Sequence, residues 1–166
     1  MFWANFLHFY QPIGQTPDIL EAVVVQSYRP ILTGLIKHKK TRLTVNINGA
    51  LLELFDKYQY FDLIDMLKEL VKEGRLELTT SAKYHSLLPF LEEKEIVRQI
   101  ENNNETLHYY FNHGYRPIGF FPPEMGYKEE LAPVIEDMGF KWIILDEIAA
   151  TGTPGEIDYE KIYKIK

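Results

Sequence analysis

The run RLTVNINGALLELFDKYQYFDLIDMLKELVKEGRLELTT, Arg42 to Thr80, decides the fold. Arg42 to Asn48 is rich in β-formers and stops at Gly49, which predicts a strand. Phe61 to Lys72 places apolar side chains at Phe61, Ile64, Leu67, Leu70 and Val71 with Asp and Lys between them, and Gly74 supplies a C-terminal stop. Arg75 to Thr80 then returns to strand character. Strand, amphipathic helix and strand in succession call for parallel strands joined by a crossover.

The alternation continues on both sides. Upstream, Phe2 to Phe9 is aromatic and apolar and stops at Gln11-Pro12, as a buried strand running into a loop does. Thr16-Pro17-Asp18 supplies cap-type residues for a helix with apolar positions at Ile19, Leu20, Val23, Val24, Ile31, Leu32 and Leu35, which Pro30 is expected to break or kink. Downstream, Leu91 to Phe111 reads as a long amphipathic helix closed by His113-Gly114. Ile118 to Phe121 predicts a fourth strand, Glu129 to Met138 a helix ending at Gly139, and Trp142 to Leu145 a fifth strand; the weak alternation of Ile162 to Ile165 suggests one more. The class is α/β. Periodicity reports layers rather than closure, so an open doubly wound sheet and a closed barrel both fit.

No Pro/Gly/Ser-rich or charged linker divides the 166 residues, so residues 1–166 read as a single domain. A net charge of -6 argues against a nucleic-acid partner, because phosphate binding needs a concentrated basic surface. The one basic cluster, Lys37-His38-Lys39-Lys40, sits where it complements a helix C-terminus. With no cysteine there is neither a disulfide nor a thiolate metal site. The start lacks the pattern of a secretory signal, and no apolar stretch is expected to approach membrane-spanning length, so the expectation is a cytoplasmic protein without membrane partner.

In parallel α/β folds the working groups gather at the carboxyl ends of the strands. Those ends are polar here: His8, Tyr10 and Gln11 after the first, Lys83, Tyr84 and His85 after the third, Glu124 after the fourth, Asp146 and Glu147 after the fifth. In FFPPEMGY, two prolines fix two φ angles and remove two backbone donors before Glu124, which presents its carboxylate on a stiff turn or leaves it to cap a following helix. His8, Gln11 and His85 lie in sequence beside Trp3, Tyr10 and Tyr84, the mixture of hydrogen-bonding groups and ring faces that sugars require. Asp146-Glu147 suits acid/base or hydrogen-bonding work, or a helix cap. His38, His108 and His113 fall in surface-like helical contexts. Phosphate loops, HExxH and a nucleophile elbow are absent, which removes nucleotide, zinc-protease and serine-hydrolase readings.

These residues resemble glycoside hydrolase family 57, whose members act on α-glucans. The resemblance lies in HFYQP (His8 to Pro12), GRLEL (Gly74 to Leu78), YHSLLP (Tyr84 to Pro89) and GFFPPEMGY (Gly119 to Tyr127), in that order along the chain. It implies an incomplete parallel (β/α)7-type barrel of the glycoside hydrolase/deacetylase kind, with Glu124 as nucleophile and His8, Gln11, Glu77 and His85 lining the cleft. Three positions depart from the pattern: Tyr10 for a second histidine, Arg75 for glutamine and Phe121 for tryptophan. The family's acid/base aspartate lies on a later strand, which implies a fragment or one piece of a split enzyme.

The expected chemistry is retaining hydrolysis or transfer on an α-glucan or oligosaccharide, without metal or organic cofactor. Unpaired edges of an incomplete barrel favour self-association or a second chain. Two other classes fit the same residues: a metal-dependent carbohydrate deacetylase using His8, His85 and Asp146, and a non-catalytic sugar-binding or assembly module.

Overall fold

The computed structural model describes residues 4–164. Five short parallel strands form its centre: β1 (Phe6–Phe9), β2 (Leu43–Ile47), β3 (Leu76–Thr79), β4 (Gly119–Phe120) and β5 (Trp142–Ile143). β1, β2 and β3 pair in that order, and β4 pairs with β5. A bridge between Thr80 and Phe120 joins the two sets, with Thr80 N donating to Gly119 O at 3.0 Å and Phe121 N to Thr80 O at 3.0 Å. The helices are α1 (Pro17–Val23), α2 (Arg29–Lys37), α3 (Gly49–Lys57), α4 (Phe61–Lys72), α5 (Glu93–Phe111), α6 (Leu131–Asp137) and α7 (Ile148–Thr151).

Strand alternation separates two faces. Phe9, Val45, Ile47, Leu76 and Leu78 point into a core shared with α1 to α5, while Phe120 joins a second core with Ile96, Ile100, Leu131 and Ile135. Helix α5 contributes to both, its first half to the second core and its last half to the first. The opposite face carries two rows in register, Phe6, Thr44 and Glu77, then His8, Asn46 and Thr79. None of these six side chains belongs to either helix-covered core. A doubly wound sheet would bury both faces under helices, whereas a barrel has helices on its outer face alone. The chain therefore forms part of an α/β barrel, and the choice left open by periodicity is resolved.

Several expectations are corrected. Helix α3 was not anticipated, although Leu51, Leu52, Leu54 and Phe55 bury one stripe of it. The strand expected from Phe2 begins at Phe6; Phe2 and Trp3 lie outside the described residues. Residues 162–164 form no strand, and Ile165 lies outside the described residues. Pro30 does not break its helix. A π-helical turn, Val24–Tyr28, lies just before it, and the wider turn accommodates a proline that can neither donate to nor pack against the preceding turn.

Membrane-spanning length is also corrected, because α1, the π turn and α2 run on as one 21-residue helix, Pro17–Lys37, long and apolar enough to cross a membrane by length and composition. Its buried positions are Leu20, Val24, Tyr28, Leu32 and Leu35, one stripe at spacings of four and three. That stripe packs in the first core, with the Tyr28 ring 4.8 Å from that of Phe9. The apolar face serves as a layer of the fold.

Candidate active site

The carboxyl ends of β1, β3 and β4 converge. Strand β1 delivers His8, and the loop after β3 delivers His85, whose Nε2 lies 2.9 Å from His8 Nε2. The turn after β4 brings Glu124 Oε1 to 3.8 Å from the same His85 nitrogen. Tyr10 closes one side, its ring centroid 4.1 Å from that of His85, and Phe121 another, 5.1 Å from that of His8. Three of the four sequence motifs, HFYQP, YHSLLP and GFFPPEMGY, thus share one cleft, and two of the departures from the family pattern, Tyr10 and Phe121, form its walls.

Of the five non-glycine residues with positive φ among the described residues, three lie at this site. His85 (φ 56°), Glu124 (φ 56°) and Met125 (φ 54°) all adopt the left-handed conformation, which costs a residue with a Cβ about 1–2 kcal/mol. Pro122 and Pro123 lead into that turn, and Met125 N donates to Pro122 O at 2.9 Å to close it. Strain of this kind persists where surrounding structure fixes it and clusters at sites that do chemistry. The Glu124 side chain is 74% exposed while that of His85 is 5% exposed, so an open carboxylate stands on a buried imidazole.

Below the histidines runs a polar row that lies outside the sequence motifs. His8 Nδ1 lies 2.8 Å from Asn46 Oδ1, and Asn46 Nδ2 donates to Thr79 Oγ1 at 3.0 Å and Thr80 O at 3.4 Å. Asn46 is completely buried. Its signal was an amide between Val45 and Ile47, on the strand face opposite those two apolar side chains.

Burial pushes both imidazoles below their ordinary value. For His8 desolvation by the surrounding rings outweighs the Asn46 hydrogen bond and the Glu124 charge, which act upward, although one edge of the residue is exposed. For His85 desolvation is reinforced by His8 and opposed by Glu124. Burial and the Glu124 charge raise Tyr10. The cleft is therefore lined by neutral hydrogen-bonding rings facing one carboxylate.

The remaining sequence-selected residues are placed differently. Glu77 is on the inward face, one row below His8, accepting from Thr44 Oγ1 at 2.9 Å. Gln11 Nε2 reaches Tyr28 Oη at 3.5 Å, and Tyr28 Oη donates to Tyr10 O at 3.0 Å, so the π turn supports the loop after β1. Asp146 Oδ1 accepts from Ile148 N at 2.9 Å, which caps α7, and Glu147 accepts from Tyr159 Oη at 2.6 Å and Gly155 N at 2.9 Å. Lys83 pairs with Glu53 of α3 at 2.7 Å. Arg75, the third departure, is buried, bonding Leu35 O at 2.6 Å and Glu73 at 2.7 Å, and so closes the end of α2. Among the described residues no group of three His, Asp or Glu side chains is arranged to hold a metal ion.

The chain is similar to an α-amylase of Pyrococcus horikoshii, 29% identical over 146 residues that cover 86% of this chain and 22% of that protein. It is also similar to a 4-α-glucanotransferase of Thermococcus kodakarensis, 29% identical, with 85% of this chain and 21% of that protein covered. Its fold matches the crystal structure of a 4-α-glucanotransferase from Thermococcus litoralis with a TM-score of 0.79 and 25% identity, over 87% of this chain and 22% of that one. The chain spans about a fifth of the length of these relatives. Residues 7–166 match the pattern of glycosyl hydrolase family 57, and with motif order, barrel and cleft in agreement the chain belongs to that family.

Proposed function

We propose that this chain carries the nucleophile-bearing part of a retaining α-glucan hydrolase or glucanotransferase, with Glu124 as nucleophile. The observation that carries the reading is the exposed Glu124 carboxylate, held on a left-handed turn at the end of β4 with its Oε1 3.8 Å from His85 Nε2. The names of its relatives, α-amylase and 4-α-glucanotransferase, supply the substrate class.

In this mechanism Glu124 attacks the anomeric carbon as the glycosidic C–O bond breaks, giving a glycosyl ester; an acid protonates the departing oxygen and then, as base, activates water or an acceptor sugar. His8, Gln11, Glu77 and His85 bind substrate hydroxyls, with Asp146 and Glu147 at the rim after β5. Neutral imidazoles suit that task, since each offers one donor and one acceptor nitrogen without neutralising the nucleophile. The acid/base is an aspartate from outside these 166 residues, and no metal or organic cofactor takes part. Barrel completion by a further segment, a second chain or self-association belongs to the same proposal, as does a cytoplasmic setting.

The test is covalent trapping. A fluorinated glucosyl fluoride has a leaving group that departs without protonation, so Glu124 alone suffices to form the ester. Intact mass should rise by one fluoroglucosyl unit, the adduct should map to the peptide containing Glu124, and Glu124→Gln should give none. Labelling elsewhere, or undiminished labelling of Glu124→Gln, would remove the assignment.

A further inference from the structure

The hydrogen bonds beneath the cleft fix the position of protons that the heavy atoms alone leave open. Thr80 O is a main-chain carbonyl and can only accept, so the Asn46 atom facing it at 3.4 Å is the amide nitrogen. That nitrogen also donates to Thr79 Oγ1 at 3.0 Å. Asn46 Oδ1 is then the atom facing His8 Nδ1 at 2.8 Å, and since an amide oxygen can only accept, His8 Nδ1 carries the proton. A neutral imidazole protonated at Nδ1 has its lone pair at Nε2. The other atom at that position is His85 Nε2, 2.9 Å away, and one of the two must donate. His85 Nε2 is therefore the donor, and its hydrogen points at His8 rather than at Glu124 Oε1, 3.8 Å distant.

We propose that Asn46 is a positioning residue: from beneath His8 it imposes one tautomeric order on the His8–His85 pair, which directs the His85 Nε2 proton away from Glu124. Three strands cooperate in this order, because His8, Asn46 and Thr79 are cross-strand partners in a single register row of β1, β2 and β3. Asn46 is fully buried, so no water competes for its amide, and its Oδ1 stays toward His8 Nδ1. The consequence for reactivity rests on Glu124 being the nucleophile. A carboxylate that accepted a short hydrogen bond from His85 would have to give it up on attacking carbon, and the Asn46 row prevents that bond from forming.

The pair reverses when Asn46 is removed. Without an acceptor at Nδ1, His8 takes the Nε2–H form and competes with His85 for the space between them. Either His85 accepts and moves its proton to Nδ1, or its Nε2–H turns to Glu124. The proposal is tested by imidazole 15N chemical shifts of the 166-residue chain, uniformly 15N-labelled at histidine and recorded above neutral pH. In the wild type, His8 should show a protonated Nδ1 and an unprotonated Nε2, with His85 protonated at Nε2. Asn46→Leu should invert the His8 pattern, and Asn46→Asp, which keeps an oxygen facing Nδ1, should retain it. Trapping of Glu124 by the glucosyl fluoride should slow about tenfold in Asn46→Leu, the worth of a hydrogen bond to a charged group gained in the ground state. A wild-type His8 protonated at Nε2, or a folded Asn46→Leu with unchanged tautomers, overturns the proposal. If the leucine variant does not fold, the wild-type spectrum and Asn46→Asp decide. If Glu124 is not labelled even in the wild type, the functional assignment fails while the 15N shifts still judge the tautomer.

Discussion

At the scale of single residues, the site carries two measurable costs. Glu124 and Met125 are consecutive left-handed residues, and Met125→Gly removes the Cβ penalty of about 1–2 kcal/mol while adding about 0.5–1 kcal/mol of chain entropy. The expected outcome is a gain of about 0.5 kcal/mol in urea unfolding; a loss above about 1 kcal/mol would show that the methionine side chain, not the turn, holds Glu124. The second cost lies in the histidines. Because burial lowers both below 6.5, the unfolded chain binds protons in the window beneath that value that the folded chain refuses. Stability is complete above 6.5 and falls as pH drops through it toward the lowered folded values. Urea midpoints between about pH 7.5 and 5.5 should fall for the wild type and fall less for His85→Gln; equal slopes would mean the pair is solvated. His8, His85 and Glu124 were legible in the sequence because strand ends in parallel folds collect polar groups. Asn46 was not, since one amide in a β-rich run shows which face it occupies only after register is known. Asp146 and Glu147 were marked by residue type and position after β5, and what the sequence does not show is their local hydrogen bonds to the backbone of α7 and to Tyr159.

At the scale of elements, the sequence exposed those with long periodic patterns and hid those fixed by tertiary contact. Helix α4 and helix α5 follow apolar stripes long enough to read, and the structure places both within a residue or two of the expected limits. Helix α3 is nine residues starting at Gly49, and its glycine reads locally as a strand stop. The reason for that glycine lies elsewhere in the chain, since a Cβ there would overlap Thr106 of α5, and Gly49 N donates to the buried Asn103 Oδ1 at 2.8 Å. Asn103 also donates to Thr80 Oγ1 at 3.2 Å, so one amide ties α3, α5 and the end of β3 together. Asn103→Leu leaves the Gly49 donor buried without partner and should destabilise by about 1–3 kcal/mol in urea unfolding. A second glycine is tested the same way. At Gly119 of β4 an added Cβ would overlap the Trp142 indole of β5, so Gly119→Ala must displace the ring. It should destabilise by about 1–3 kcal/mol and shift tryptophan emission; an unchanged spectrum would mean that the ring has room to spare.

At the scale of the whole molecule, the inward face is where chemistry and incompleteness meet. Helices cover the outer face of all five strands, while His8 and Glu77 remain exposed on the inner one, and among the described residues β1 and β5 each have one unpaired edge. Retaining glycosidases place two carboxyl groups about 5–5.5 Å apart across the scissile bond. Beside Glu124 this chain offers few candidates for the second: Asp146 and Glu147 are held in local hydrogen bonds, and Glu77 lies a row deeper, bonded to Thr44. An unprotonated sugar alkoxide is a poor leaving group, whereas fluoride leaves unaided. The 166-residue chain should therefore be glycosylated once by the activated fluoride, release the sugar slowly, and leave maltooligosaccharides intact. Reducing-end assays and intact mass on the same sample read both halves of this expectation. Steady hydrolysis of unactivated maltooligosaccharides would place the acid within these residues, and its loss in Glu77→Gln, Asp146→Asn or Glu147→Gln would say which carboxyl it is. Adding a chain or segment that completes the barrel should restore turnover without altering the site of labelling, because the turn that carries Glu124 is set by Pro122, Pro123 and the β3–β4 bridge, all of which are already formed.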